Sequence, residues 1–328
     1  MFKKKYTIGG KINKGFLIES NYLLLQDDLC LKKINLSNGG TIISSKVDDG
    51  LNIQKIVKLE KDYVGLANGK ICFLDNDLKL KGEKKIRYTG YDLFEEKYLI
   101  KIIDYDYATF KGTYGMFDLS TNKDLWKIDT GETIKIESNI AFTVSFKGIN
   151  RRDIVHGEIQ WSLKMDNGNL LPELVGVSND LVIFSFQESG KLIALDIETG
   201  AIKWEIKTLT KGLSIDKEKG LLHQMMVNYT AYDLFTGELK VNYQDSSYFE
   251  SIGIESQRSN YVLYGDYLIT TDWKNGVVGA FNTLTHKFDW VHEEEGVSFP
   301  SPVPLNYKSL YLLVHDNKGT LHVFERED

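Results

Sequence analysis

Proline is scarce in this chain, with 4 among 328 residues, and cysteine scarcer still, with 2. So few prolines argue against Pro-rich linkers between separate domains. Two cysteines, Cys30 and Cys72, are too few for a disulfide-stapled scaffold. Both lie in apolar, strand-like runs and read as small buried hydrophobes with free thiols, which points to a reducing, cytoplasmic setting. No stretch approaches 18 consecutive apolar residues, so membrane insertion is not expected. The basic start, MFKKKYTIGGKINKGF, lacks the apolar run of a signal peptide. A basic excess is missing too: the formal net charge is −6, and Lys3-Lys4-Lys5 is too small a patch to track a phosphate backbone. Nucleic acid is therefore excluded as a partner. H-E-x-x-H, G-x-S-x-G and P-loop motifs are absent, as is any capped run of helical periodicity.

What the chain does have is aromatic residues, at 12%, and 28 glycines. Aromatics favour strands, and a pattern built from short strands recurs about every 40 residues. It is clearest in LIALDIETGAIKWEIK, Leu192–Lys207, with versions at Tyr114–Lys127, Thr230–Val241 and Val278–Val291. A period of this length made of strands marks a β-propeller. The apolar residue ending each third strand, with the polar residue that opens the turn, supplies the anchors. They are Ile34-Asn35, Leu74-Asp75, Phe117-Asp118, Val155-His156, Leu195-Asp196, Tyr232-Asp233, Phe281-Asn282 and Phe324-Glu325. Upstream of each lies an alternating strand, such as YLLLQ at Tyr22 or LVIFSF at Leu181. The eighth anchor leaves no room for a fourth strand. Residues 1–8 would supply it, joining 301–326 in the last blade and removing a free edge. The expectation is all-β: a single domain over 1–328, most readily an eight-bladed propeller of four-stranded blades closed by its two termini, with seven blades as the alternative.

The recurring residues have physical reasons. Asp196 can accept hydrogen bonds from backbone amides of its own turn, and Gly200 can take the left-handed conformation that reverses the chain. Trp204 stands on the outer strand, where a large flat ring can cover a neighbouring sheet. Trp126, Trp161 and Trp290 occupy related places, Val241 replaces Trp in the sixth unit, and the first two units have none.

The phrase LIALDIETGAIKW resembles the repeat of the pyrroloquinoline-quinone-like propellers, the superfold of the quinoprotein alcohol dehydrogenases. The resemblance spans essentially the whole chain, with about four of eight units matching well. It implies the fold. Members with activity hold quinone and calcium in a central funnel, with adjacent cysteines against the cofactor. This chain has no adjacent cysteines, and no set of Glu, Asn and Asp can be carried over as calcium ligands. Other members are outer-membrane assembly lipoproteins, whose acylated cysteine has no counterpart here. The implied inheritance is the fold without a cofactor.

Six histidines, His156, His223, His286, His292, His315 and His322, are scattered over different units. A metal site needs ligands that converge, and ordinary strand and turn histidines explain them better. Glu293–Glu295 reads as a solvated loop, and Gly112–Gly115 (GTYG) as a hairpin. Arg151-Arg152-Asp153 reads as either a charged rim contact or an unremarkable turn. Two irregularities stand out. Around DYDY, a protruding turn on the third blade carries Tyr105, Tyr107, Phe110 and Tyr114. Between the sixth and seventh anchors, Gln244–Asn260 is longer than its siblings and carries Tyr248, Phe249, Ile252 and Ile254. Exposed aromatics on loops suit protein interfaces, and extra loop length on a repeating scaffold often carries function. Local packing and a tolerated insertion are the bland alternatives. Tyr105, Tyr107, Phe110, Tyr248 and Phe249 are thus the candidate partner-binding residues. The expected function is a non-catalytic, monomeric scaffold gripping a protein partner by one rim, with neither metal nor cofactor. The alternative is a small-ligand binder or enzyme with its site in the axial funnel.

Overall fold

The computed structural model describes the chain except residues 1, 10–11, 20, 48–50, 68, 86–92, 95–97, 107–110, 129–131, 166–169, 227, 255–260, 303–309 and 328. Its strands form eight four-stranded antiparallel sheets, the blades of an eight-bladed β-propeller. Seven sheets use four consecutive strands. The fifth is typical, with Glu173–Ser178, Leu181–Phe186, Lys191–Asp196 and Ile202–Lys207. The eighth takes Ser301–Pro302, Tyr311–His315 and Leu321–Arg326 from the end of the chain and Phe2–Ile8 from its start. Lys4 lies opposite Phe324 and Tyr6 opposite Val323. The termini therefore close the last sheet as the anchor spacing required, and eight blades rather than seven is the count.

Two compact units divide the sheets between them. One comprises residues 1–46, 211–234 and 238–328, which hold the first, sixth, seventh and eighth sheets; the other comprises 47–210 and 235–237, which hold the second to fifth. Cores form between successive sheets inside each unit. Phe142, Val144, Trp161, Val182, Phe184 and Ile193 fill the space between the fourth and fifth sheets. Phe2, Tyr264, Ile269, Phe299, Leu312 and Phe324 do so between the seventh and eighth. Second strands are buried on both faces, as in Leu181–Phe186, while fourth strands alternate, as in Ile202–Lys207. Apolar alternation turns one face to a neighbour and leaves the other wet.

One irregularity repeats in all eight sheets. The pairing of the third strand with the fourth shifts register one residue before the anchor, at Ala194/Leu195 in the fifth sheet and Ala280/Phe281 in the seventh. The eighth sheet has the same shift, between Lys4 and Tyr6. A bulge adds twist and re-aims the residue beyond it. That residue is the recurring aromatic. Trp161, opposite Arg151, lies against Gly200 in the next sheet's turn and donates its indole N–H to the Ile197 carbonyl at 2.9 Å. Gly200 has φ +72°, and a Cβ there would lie 2.7 Å from the ring, so glycine is required twice over. Trp126 covers Gly157 and donates to the Ile154 carbonyl, and Trp204 covers Gly237. This contact explains why the tripeptide 235–237 belongs with the second unit.

In the eighth sheet the equivalent residue is Tyr6. Its ring lies against Gly39 (φ +72°), and its hydroxyl donates to the Leu36 carbonyl at 2.7 Å. Burial, followed by the neighbouring Tyr311, pushes this phenol up to about 12. Trp290 meets no such turn. It packs against Phe2 and Phe324, with ring centroids 5.3 and 5.4 Å away.

The fourth anchor needs correction. Its third strand is Gly148–Arg152 and its turn opens at Asp153, which accepts from the amides of Val155 and His156. Val155 is a turn residue, 43% exposed. The apolar position is filled by Arg152, whose guanidinium donates to the Gly157 carbonyl, Thr143 Oγ1 and Glu132. Arg151 donates to the Ile197 carbonyl and pairs with Glu198. These arginines bond within the scaffold, Arg151 reaching the turn of the next sheet. GTYG lies in the hairpin expected there, within its strand Lys111–Asp118.

Candidate functional site

In the second unit, the third sheet departs from its siblings. Its second strand, Tyr98–Asp106, has 9 residues and its third, Lys111–Asp118, has 8. Among the described residues the first strand reaches the Leu93–Leu99 pair and the fourth the Tyr114–Ile128 pair. Beyond them Asp104 faces Thr113, Tyr105 faces Gly112 and Asp106 faces Lys111. Among the described residues no strand flanks these last rungs of the hairpin ribbon; residues 86–92 and 129–131, which lead into the first strand and out of the fourth, lie outside the described residues. A register shift between Ile102 and Asp104 turns Ile103 outward. Ile103 lies across Gly115, where a Cβ would be 3.0 Å from its Cδ1, and stays 39% exposed. The ribbon's root is fixed by buried Phe117, with the Lys84 ammonium 4.5 Å and the Lys101 ammonium 5.7 Å from its ring centroid. Lys101 also pairs with Asp124.

Of the sequence candidates, Tyr105 lies in this ribbon, while Tyr107 and Phe110 fall outside the described residues. By chain direction, the same edge of the unit carries the tip of the fourth sheet's hairpin and the connections that lead on from the fourth and fifth sheets. Phe146, Leu170 and Leu209 on these segments are exposed. The opposite edge exposes Leu80, Ile159 and Ile202, each paired with a third-strand end (Leu74, Arg152 and Leu195). These three recur with the repeat, whereas the ribbon does not.

In the first unit, the long segment after the sixth sheet folds into one short helix, Ser246–Ser251. Asp245 caps it, accepting from the Tyr248 amide and Ser247 Oγ, and the Ser247 bond first, then that amide, holds its carboxyl low. Phe249, expected on the surface, is fully buried. It stacks on Phe281 at 5.3 Å and meets Phe288 at 5.6 Å. Tyr248 is half-buried, and its hydroxyl accepts from the Phe288 amide at 3.0 Å. Phe288 lies opposite Phe281, the place taken by exposed Leu239 in the sixth sheet. The insertion supplies an aromatic cover for an aromatic that would otherwise be exposed. Its amphipathic text is core packing, and Phe249 is withdrawn as a surface contact.

Two buried polar groups went unseen in the sequence. His322 lies against Asp316 (Nε2 to Oδ2, 2.9 Å), with Glu294 3.9 Å from its Nδ1. Glu294 also takes His292 at 3.1 Å and the Lys4 ammonium at 2.5 Å. The Lys4 bond is the main cause of its depressed pKa. Glu294 is therefore part of the strand closure and not of a freely solvated loop. In the sixth sheet, His223 Nδ1 meets the Tyr229 hydroxyl at 3.0 Å, with Asp216 3.6 Å from Nε2. Among the described residues no group of three His, Cys, Asp or Glu is arranged to hold a metal ion. Both cysteines are unpaired.

The sequence matches no family model and no curated protein. Solved structures do match. The chain superposes on BamB from Moraxella catarrhalis with a TM-score of 0.67 and 15% identity, covering 99% of this chain and 100% of that one. A europium-containing methanol dehydrogenase gives a TM-score of 0.69 at 10% identity, covering 99% and 93%. The computationally designed Ika8 protein gives 0.67 at 12%, covering 98% of each. The first two are eight-bladed quinoprotein-like propellers, the fold that the repeat resembles. At such identities the likeness establishes the fold alone. No described helix is long and apolar enough to cross a membrane.

Proposed function

We propose that this protein is a non-catalytic scaffold that grips a polypeptide partner through the ribbon of its third sheet. The observation carrying this reading is the length of that hairpin, whose strands of 9 and 8 residues exceed the second and third strands of every other sheet. The hairpin holds exposed Ile103 and Asp104 above a fixed root. In the sequence, Tyr105, Tyr107 and Phe110 are three aromatics within six residues, and aromatic anchors beside polar groups suit a protein interface. The exposed Phe146, Leu170 and Leu209 widen the apolar surface along that edge. In this reading the molecule acts as a cytoplasmic monomer, where its two free thiols stay reduced.

The test replaces residues 104–113 by an Asn-Gly turn and compares the variant with the intact protein. A photo-crosslinking residue at position 104 of the intact protein, used in its own cells, should trap a partner that the shortened protein fails to retain. Equal retention of every trapped partner by the shortened, folded protein would end the proposal.

A further inference from the structure

His223 is fully buried in the second strand of the sixth sheet. Its ring stacks on Tyr229 with centroids 5.9 Å apart, and Tyr229 meets Phe281 edge-on at 5.2 Å. Phe281 in turn stacks on Phe249 of the short helix Ser246–Ser251. Four rings thus run without a gap from a titratable imidazole to the inserted helix. The far end is held by that stacking and by the Tyr248 hydroxyl, which accepts from the Phe288 amide. The helix has 6 residues, and only Phe249 within it is buried.

The groups facing His223 are few. Asp216 lies 3.6 Å from Nε2, beyond hydrogen-bond reach, and Nε2 has no hydrogen-bond partner. The Lys219 ammonium lies 3.7 Å from the same carboxylate and 2.6 Å from Asp266. On the remaining sides are the Tyr229 phenol and the Tyr261 hydroxyl, which donates to the His223 carbonyl at 3.1 Å. His286 approaches Tyr229 at 5.8 Å and Tyr243 at 5.1 Å. A proton arriving on His223 would sit in an aromatic core with its only counter-charge already shared with a lysine.

We infer that His223 is an acid-sensitive latch, and that the chain of rings makes the seating of helix Ser246–Ser251 depend on its staying uncharged. Burial holds the imidazole below its ordinary value of 6.5, and outweighs the opposing pull of Asp216. The opened form, with the ring in water, binds a proton that the closed form refuses. Closure is therefore favoured at neutral pH and weakens as pH falls below 6.5. Mild acid would lift Tyr248 and Phe249 off the seventh sheet.

Hydrogen exchange of the full chain tests this, read as protection factors so that the intrinsic pH dependence of exchange cancels. Between pH 7.5 and 5.5, amides of the helix should lose protection by a factor of up to about tenfold, the limit set by a free imidazole's protonation. Amides of Lys191–Asp196, in the other compact unit, should not change. His223→Gln should abolish the pH effect, with His223→Asn as a second neutral variant should the first not fold. The latch is overturned if helix protection is flat with pH in the wild type. It is also overturned if the loss persists in the neutral variants, moves with His286→Gln, or extends equally to Lys191–Asp196.

Discussion

Tyr6 offers the sharpest test of how the closing sheet is held. It is the counterpart of the tryptophans at 126, 161 and 204, carried on a strand that has no covalent continuity with the rest of its sheet. Its hydroxyl bond to Leu36 is worth about 0.5–1.5 kcal/mol net, so Tyr6→Phe should cost about 1 kcal/mol. Tyr6→Ala removes the ring from Gly39 as well. Deletion of a buried aromatic costs ~3–5 kcal/mol, and because Tyr6 is only half-buried the lower figure of about 3 applies. For a chain of this length the unfolding entropy is about 0.7 kcal/mol/K, so that loss lowers Tm by roughly 4 °C if the chain melts as one. Tyr6→Trp should be nearly neutral, since Trp161 makes the same carbonyl bond over the same kind of turn. Urea unfolding followed by fluorescence and circular dichroism gives all three values. A Tyr6→Ala loss under 0.5 kcal/mol, or a Trp variant as poor as the Ala variant, would refute the equivalence.

Two further outcomes follow from the same geometry. Trp204→Ala should cost about 3–5 kcal/mol, because the ring is buried against Gly237, and a thermal shift near zero would remove it from that role. Burial pushes the Cys72 thiol up to about 11, so at pH 8 the native protein should be alkylated by iodoacetamide at half-buried Cys30 well before Cys72, as read by mass spectrometry. Equal labelling of both without denaturant would contradict the buried placement.

The blade count was legible because each unit repeats the same solution to one problem, a third strand that ends in an apolar residue and turns on an Asx side chain. Asp196 takes amides from Glu198 and Thr199, and Asn282 takes those from Leu284 and Thr285. The fourth anchor failed because the search demanded an apolar residue, and Arg152 satisfies the site through its hydrogen bonds instead. Tyr6 was missed for a different reason. Its turn partner is 30 residues ahead, and its strand, FKKKYTI, carries none of the repeat's text. Phe249 reads the same in a sequence whether its ring points out or in. Only the presence of Phe288, opposite Phe281 and in need of cover, decides it. The buried histidines gave no signal because the partners of each, such as Asp316 for His322 and Tyr229 for His223, are ordinary turn and strand residues.

These differences separate two kinds of irregularity. A repeat fixes what every sheet needs, so a departure either repairs a local substitution or adds something packing does not require. The helix after the sixth sheet belongs to the first kind: Gly279 leaves room where a Cβ would lie 2.8 Å from the Phe288 ring, and Phe249 and Ile254 close over it. Arg152 is of that kind too. The ribbon of the third sheet, with the longest second and third strands of any sheet, is the candidate for the second kind. Each ordered backbone residue of its long strands costs about 1–2 kcal/mol of conformational entropy. Inter-strand bonds offset only part of that in water, since isolated two-stranded hairpins are marginal at best. On the proposed reading, contact with a partner supplies the rest, and the hairpin of the third sheet is where that contact is to be sought.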